Sequence, residues 1–210
     1  MINPSYLSLY VILDIDYLKT AGKNPLKALK DCLKGGATCV QLRSKIMEDN
    51  EFYETAIACK NICLSYKVPF IINDRLDVAI LIKADGIHIG KEDLSFKLVK
   101  KLFKGIIGIS SDNEKESYVL DSLKASYMGI GPVYPTLQKN KKAVGIKSIK
   151  KLCSTLFTPI VAIGGINEYN IPELKRSGIK YFSFISGILG SKNILAKTKK
   201  VSSIIYHKEI

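Results

Sequence analysis

Residues 69–90 read PFIINDRLDVAILIKADGIHIG. A short β-rich run, residues 69–74, ends on Asn73 and Asp74; a segment of helical length follows, and a second run, residues 86–90, closes on a glycine. Strand, helix and strand in that order form the unit from which parallel sheets are wound. The same alternation continues in both directions. β-rich runs recur at residues 9–14, 38–43, 106–110, 127–131, 159–165 and 181–186, most of them near-continuously apolar, as in LYVIL, PFII, IIGI and PIVAI. Strands with that pattern are buried on both faces. The stretches between them have a helical period. Residues 25–35 put Leu26, Leu29 and Leu33 on one face and stop at Gly35. Residues 49–66 stripe one side with Phe52, Ala56, Cys59 and Cys63, and residues 167–178 open on a capping residue and end at a glycine. Eight such units predict an α/β fold, a single (β/α)8 TIM barrel near its minimum size, with residues 1–210 as one catalytic domain. A doubly wound open sheet is the alternative, but consecutive units without an antiparallel edge signal favour closure.

The chain of 210 residues is 47% hydrophobic and 24% charged, which excludes a disordered or low-complexity protein. A chain this long buries roughly 70% of its unfolded surface, so a core needs neither disulfide nor metal. No run approaches the ~18 apolar residues of a membrane span, and the opening MINPSYLSLYVILDID lacks a basic start and a cleavage site. The five cysteines, Cys32, Cys39, Cys59, Cys63 and Cys153, form no CxxC pair. Cys59 and Cys63 share a helix face, yet no second ligand pair completes a zinc site. Buried free thiols and a cytoplasmic location are the expectation. The net charge is +13, for which a Lys-rich surface, a small anionic substrate and nucleic acid are all explanations. Without a binding motif or basic–aromatic interleaving, nucleic acid is not expected as a partner, nor is a membrane.

Barrel enzymes carry their chemistry at the C-terminal ends of the strands, and polar residues gather there in this chain. Gln41, Arg43 and Lys45 lie on one side of an extended segment. Arg43 and Lys45 so placed form a clamp for phosphate oxygens, although a solvated strand end has the same pattern. Asp74 with Asp93, on neighbouring strand ends, suggests an oxygen-ligated Mg²⁺ that phosphates complete. Capping of the next helix by Asn73 and Asp74, or ion pairs Asp93–Arg75 and Asp74–Lys91, are the structural alternatives. In AIGGI and FISGI, Gly164, Gly165, Ser186 and Gly187 permit close backbone approach to a phosphate, or simply make tight turns. The cluster Lys139, Lys141 and Lys142 is where basic charge meets loop chemistry. His88, alternating with Ile87 and Ile89, reads as a core histidine or one just behind a ligand. With only His88 and His207 present, chemistry that needs a His dyad has little material.

VQLRSK, IINDRLDVAI, ADGIHIGKEDL, GIGPVYPTLQKNKKA, VAIGGI and FISGI together resemble the thiamine phosphate synthase (thiamine-phosphate pyrophosphorylase) family in order and spacing, from the first strand to the last. The resemblance implies a transferase of thiamine biosynthesis. It would join 4-amino-2-methyl-5-(diphosphooxymethyl)pyrimidine to thiazole ethyl phosphate by a Mg²⁺-assisted dissociative substitution, releasing pyrophosphate. It implies that Gln41, Leu42, Arg43, Ser44 and Lys45 contact the pyrimidine diphosphate, with Arg43 and Lys45 on its phosphates. Asn73 and Ser110 would be further contacts to that substrate, Lys139 a diphosphate ligand, and Asp74 and Asp93 the Mg²⁺ ligands. Thr136, Leu137, Gln138, Gly165, Ile185 and Ser186 resemble the thiazole phosphate site. Arg43, Lys45 and Lys139 would be catalytic by neutralising departing charge, and neither a general base nor a protein nucleophile is required. The implied partners are two small molecules, and a homodimer would be unsurprising. Two positions depart from the family pattern. Gln138 stands where Thr is usual, and Asp112 where His is common; an acid there suits bound phosphates only if it turns away or receives a proton or cation. A thiazole tautomerase-like relative is the first alternative function, disfavoured by the full set of diphosphate residues. A non-catalytic thiamine-precursor binding protein is the second.

Overall fold

The computed structural model describes residues 4–135 and 142–206. Eight parallel strands close into a ring in sequence order: β1 (Leu9–Asp14), β2 (Cys39–Arg43), β3 (Phe70–Asn73), β4 (Gly86–Ile89), β5 (Ile106–Ser111), β6 (Tyr127–Ile130), β7 (Ile160–Ile163) and β8 (Tyr181–Phe184), which returns to β1. The helices are α1 (Ile15–Thr20), α2 (Pro25–Lys34), α3 (Asp49–Ser65), α4 (Leu76–Leu81), α5 (Phe96–Leu102), α6 (Glu114–Asp121), α7 (Ile146–Thr155), α8 (Ile171–Arg176), α9 (Ser186–Leu189) and α10 (Ile194–Tyr206). The (β/α)8 barrel expected from the apolar runs is the architecture found, and the open sheet is not.

Closure gives every strand an outer and an inner row of side chains. The outer row, including Val11, Leu13, Val40, Leu42, Phe70 and Ile72, packs against the helices. On the helix side it meets Leu29, Leu33, Phe52, Ala56, Cys59 and Cys63, the predicted faces of α2 and α3. Each such large apolar side chain contributes about 1.5–3 kcal/mol by leaving water. The inner row is apolar low in the barrel, where Tyr10, Cys39, Ile71, Ile106, Tyr127 and Val161 plug the interior. Higher up it turns polar. That change is what leaves a site at the strand ends. All five cysteines are free; burial pushes the Cys32 and Cys59 thiols up to about 12, so they are inert packing groups.

One helix end follows its sequence reading for a reason that lies elsewhere in the fold, and one departs from it. Gly35 does stop α2, but with φ −81° rather than in the left-handed region. A Cβ there would lie 2.4 Å from Thr198 Cβ, so the glycine admits α10 against α2. Helix α8 begins at Ile171, later than residue 167, with Pro172 in its first turn. The Asn167 side chain instead accepts from Tyr169 N at 2.9 Å, and Asn170 Oδ1 accepts from Asn167 N at 2.9 Å, which fixes a loop before the helix.

Candidate active site

One wall of the mouth is built from charged side chains. Asp14 and Arg43 are register partners on β1 and β2, and Arg43 Nη1 donates to Asp14 Oδ2. The other Asp14 oxygen caps α1 by accepting from Tyr17 N at 3.0 Å. Beyond β2, Asp16 holds the turn: it accepts from Ser44 Oγ at 2.5 Å and from Lys45 N at 2.7 Å. Lys45 Nζ then donates to Asp74 Oδ2. Asp74 sits in the left-handed region, φ +62°, with its N–H on His88 O at 2.9 Å. Asp is among the few side chains that tolerate this conformation, at a cost of about 1 kcal/mol. The turn brings its carboxylate to Lys45 and Asp93.

Asp93 accepts from Gly90 N at 2.6 Å and lies within the electrostatic reach of Asp74. Burial first, then Asp74, pushes its carboxyl above the usual carboxylate range, against the pull of the Gly90 N–H and Lys45. The alternative ion pairs do not form. Arg75 holds Asp49 and Asp77, each at 2.6 Å, while Lys91 holds Glu116 at 2.9 Å and Asp112 at 3.6 Å. The capping alternative fails as well, because α4 starts behind Arg75 without a side-chain cap bond. Lys91 also supplies the cation that Asp112 requires at this position. Among the described residues no group of three or more His, Cys, Asp or Glu is placed to hold a metal. A cation on Asp74 and Asp93 would therefore depend on ligand oxygens to fill its shell.

The wall opposite presents glycine backbone among uncharged side chains. A cavity of about 530 Å³ runs from Asp14, Gln41, Arg43 and Asn73 across to Gly164, Gly165, Ile185, Ser186 and Gly187. Gly164 and Gly165 have φ +94° and +69°. Cβ atoms there would lie 2.6 Å from Pro132 Cα and 2.7 Å from Tyr134 Cβ, so the tight turn and the close approach both require glycine. Asn170 Nδ2 donates to Gly165 O at 2.9 Å. Glu168, 8% exposed, ties this loop to α10 through Lys197 at 2.5 Å and Lys200 at 3.6 Å. Lys197 holds the Glu168 carboxyl below its usual range.

The floor is a hydrogen-bonded ladder. Gln41 Nε2 donates to Tyr10 Oη at 2.7 Å, and Tyr10 Oη lies 2.7 Å from Tyr127 Oη. Tyr127 Oη is 3.0 Å from His88 Nδ1, and His88 Nε2 is 2.9 Å from Ser110 Oγ. Gly108 makes room for it: a Cβ there would lie 2.1 Å from the Tyr127 ring. His88 is thus a cavity-lining residue braced from behind.

Of the residues singled out by sequence, Gln41, Arg43, Asn73, Ser110, Gly165, Ile185 and Ser186 line the cavity; Lys45, Asp74 and Asp93 are not among its lining and interact with one another in the loops beyond β2, β3 and β4. Leu42 is the correction within the 41–45 run. Its side chain is fully buried in the outer core, as strand alternation between Gln41 and Arg43 demands. Ser44 does not line the cavity either; its hydroxyl is spent on Asp16. Thr136, Leu137, Gln138 and Lys139, like Lys141 and His207, lie outside the described residues. Sequence reasoning passed over Asp14, Asp16, Tyr10 and Tyr127. For Asp14 the signal was present, since it ends the first apolar run as Asn73 ends the third.

Fold and cavity define the class: a (β/α)8 barrel enzyme whose charged rim and glycine wall face each other across the C-terminal mouth. The family model described as thiamine monophosphate synthase matches residues 9–188. A protein from Clostridium acetobutylicum named thiamine-phosphate synthase is 38% identical over 208 residues, covering 98% of this chain and 97% of the relative. One of the same name from Persephonella marina is 36% identical over 202 residues, covering 95% and 96%. The solved structure of thiamine phosphate pyrophosphorylase from Pyrococcus furiosus superimposes with TM-score 0.88 at 31% identity, covering 96% of each chain. Orotidine 5'-phosphate decarboxylase from Pyrococcus horikoshii, at TM-score 0.69 and 12% identity, shares the fold alone. The chain belongs to the thiamine monophosphate synthase family, a family of transferases. No helix among the described residues is long and apolar enough to cross a membrane.

Proposed function

We propose that the chain is a thiamine phosphate synthase that couples the pyrimidine diphosphate to thiazole ethyl phosphate with release of diphosphate. The observation that supports this reading is a cavity that joins Arg43 and Asn73 to the glycine wall, with the Lys45–Asp74 pair and Asp93 in the loops beyond β2, β3 and β4. The C–O bond to the diphosphate breaks and its electron pair leaves with the leaving group. The thiazole nitrogen lone pair forms the new C–N bond, and no proton is transferred. Arg43 and Lys45 neutralise the departing oxygens by exchanging their present carboxylate partners for phosphate, with Lys139 joining them as the family resemblance implies. Gln41, Asn73 and Ser110 orient the pyrimidine so that its methylene faces the thiazole. The N–H groups around Gly165 and Ser186, with Ile185 and residues 136–138, receive the thiazole phosphate.

Asp74 and Asp93 fit a Mg²⁺ ion: two neighbouring hard oxygen donors, one of them held above its usual titration range by burial first and by its acidic neighbour second. When bound, the ion supplies positive charge to the leaving diphosphate. The free, buried thiols suit a reducing cytoplasm.

The test is incubation of purified protein with both substrates, with and without Mg²⁺, while thiamine phosphate and pyrophosphate are measured. One-to-one formation of both, lost on chelation, is expected. Binding of both substrates without turnover would leave a precursor-binding protein and end this reading.

A further inference from the structure

The floor ladder has a direction, and the direction selects what the cavity binds. Tyr10 and Tyr127 are fully buried and stand at the middle of the ladder, each with one neighbour on either side. Each hydroxyl has one proton to give. Gln41 Nε2 donates to Tyr10 Oη, so the Tyr10 proton goes to Tyr127 Oη, 2.7 Å away. The Tyr127 proton must then go to His88 Nδ1 at 3.0 Å. If any one bond pointed the other way, a buried hydroxyl proton would be left without an acceptor. Burial holds both phenols far above their usual titration range, so neither loses its proton.

The consequence passes to the far end. His88 Nδ1 accepts, so its ring proton sits on Nε2 and is donated to Ser110 Oγ at 2.9 Å. With its oxygen accepting from His88, Ser110 turns its own proton into the cavity it lines. At the start of the ladder, Gln41 has used an N–H and leaves Oε1 as an acceptor. We infer that Tyr10 and Tyr127 are positioning residues. They lock His88 in the Nε2–H tautomer, so the cavity offers an acceptor at Gln41 and a donor at Ser110. That polarity fits a heteroaromatic ring with an amino N–H for Gln41 and a lone pair for Ser110, and rejects the oxo analogue of the same ring. The ligand assignment rests on the function proposed above; the tautomer does not.

The experiment is a long-range ¹H–¹⁵N spectrum of protein labelled in histidine, recorded well above the ordinary imidazole pKa of about 6.5. With two histidines in the chain, the His88→Gln variant assigns the signals. His88 is expected as the Nε2–H tautomer in the wild type. In Tyr127→Phe the donor to Nδ1 is gone and the Nδ1–H form appears; in Gln41→Glu a carboxylate accepts from Tyr10, the ladder runs backwards, and the Nδ1–H form appears as well. Binding of the 4-amino pyrimidine diphosphate over its 4-oxo analogue is expected to be at least tenfold in the wild type and to narrow severalfold in Tyr127→Phe. A wild-type Nδ1–H tautomer overturns the inference, because the ladder then runs backwards and Ser110 presents an acceptor. An unchanged His88 signature in a folded Tyr127→Phe or Gln41→Glu protein overturns it too. The expected tautomer in a protein that makes no thiamine phosphate would instead sink the function and leave the lock standing.

Discussion

The two sides of the barrel mouth are prepared for anions by opposite means. On the β1–β4 side the groups are side chains, and each cation already has a carboxylate: Arg43 has Asp14 and Lys45 has Asp74. A phosphate arriving there exchanges partners. On the β7–β8 side the cavity lining carries no charged side chain, and Gly164, Gly165 and Gly187 bring peptide groups to its surface. The first side is tuned by charge and tolerates change in shape. The second is fixed by shape, and a single methyl group spoils it.

The sharpest way to separate the two sides is to remove a charge from one and add a carbon to the other. Asp93→Ala is expected to lower Mg²⁺-dependent coupling about 10³-fold, a barrier increase of roughly 4 kcal/mol, with an unchanged circular dichroism spectrum; turnover within threefold of wild type would remove Asp93 from the metal assignment. Gly165→Ala should act on stability and on one substrate only. Strain at φ +69° and the Tyr134 contact predict a loss of about 2–3 kcal/mol in urea unfolding. The KM for thiazole phosphate should rise with little change in that for the pyrimidine. Glu168→Gln tests whether the glycine wall depends on its anchor to α10. Removal of that carboxylate from Lys197 should cost roughly 1–3 kcal/mol. Because the Glu168 carboxyl is held low, the wild-type advantage should be full above the ordinary Glu value and fade as pH falls through the depressed one.

The smallest effect has the opposite sign. Asp93 titrates high in the folded protein, so its contribution to stability is full below the ordinary Asp value and is lost as pH rises through the raised one. Asp93→Asn should therefore stabilise the metal-free protein at pH 7 by about 0.5–1 kcal/mol and have no effect near pH 3. Added Mg²⁺ should raise the melting temperature of the wild type and not of the variant. Equal melting temperatures for the two metal-free proteins at pH 7 would show that Asp74 does not burden Asp93.

The strands were legible in the sequence because burial on both faces leaves runs such as LYVIL and PIVAI that no surface segment would carry. The charged side of the mouth was legible for the same reason, since Gln41, Arg43, Asn73 and Asp74 stand out as polar ends on apolar runs. Contacts that depend on ring closure were not. Tyr10 looks like one more apolar residue of its run. That it meets Tyr127 across the interior follows only from the register that sets Tyr127 beside Gly108. The glycine in IIGI was a usable sign, because a glycine inside a strand often marks close approach of another group. The Lys91–Asp112 pair joins loops after different strands, and no local pattern announces it. Gly35 shows a subtler gap: it ends its helix as read, for a reason that lies on α10.

That meeting of α2 and α10 bears on how the protein is made. The joint between β1 and β8 and the seat of Thr198 on Gly35 unite the first and the last segments of the barrel, which are synthesised far apart in time. Until residues 181–206 leave the ribosome, β1 keeps a bare edge and α2 an unclad face. The ring therefore shuts only once its last strand has emerged.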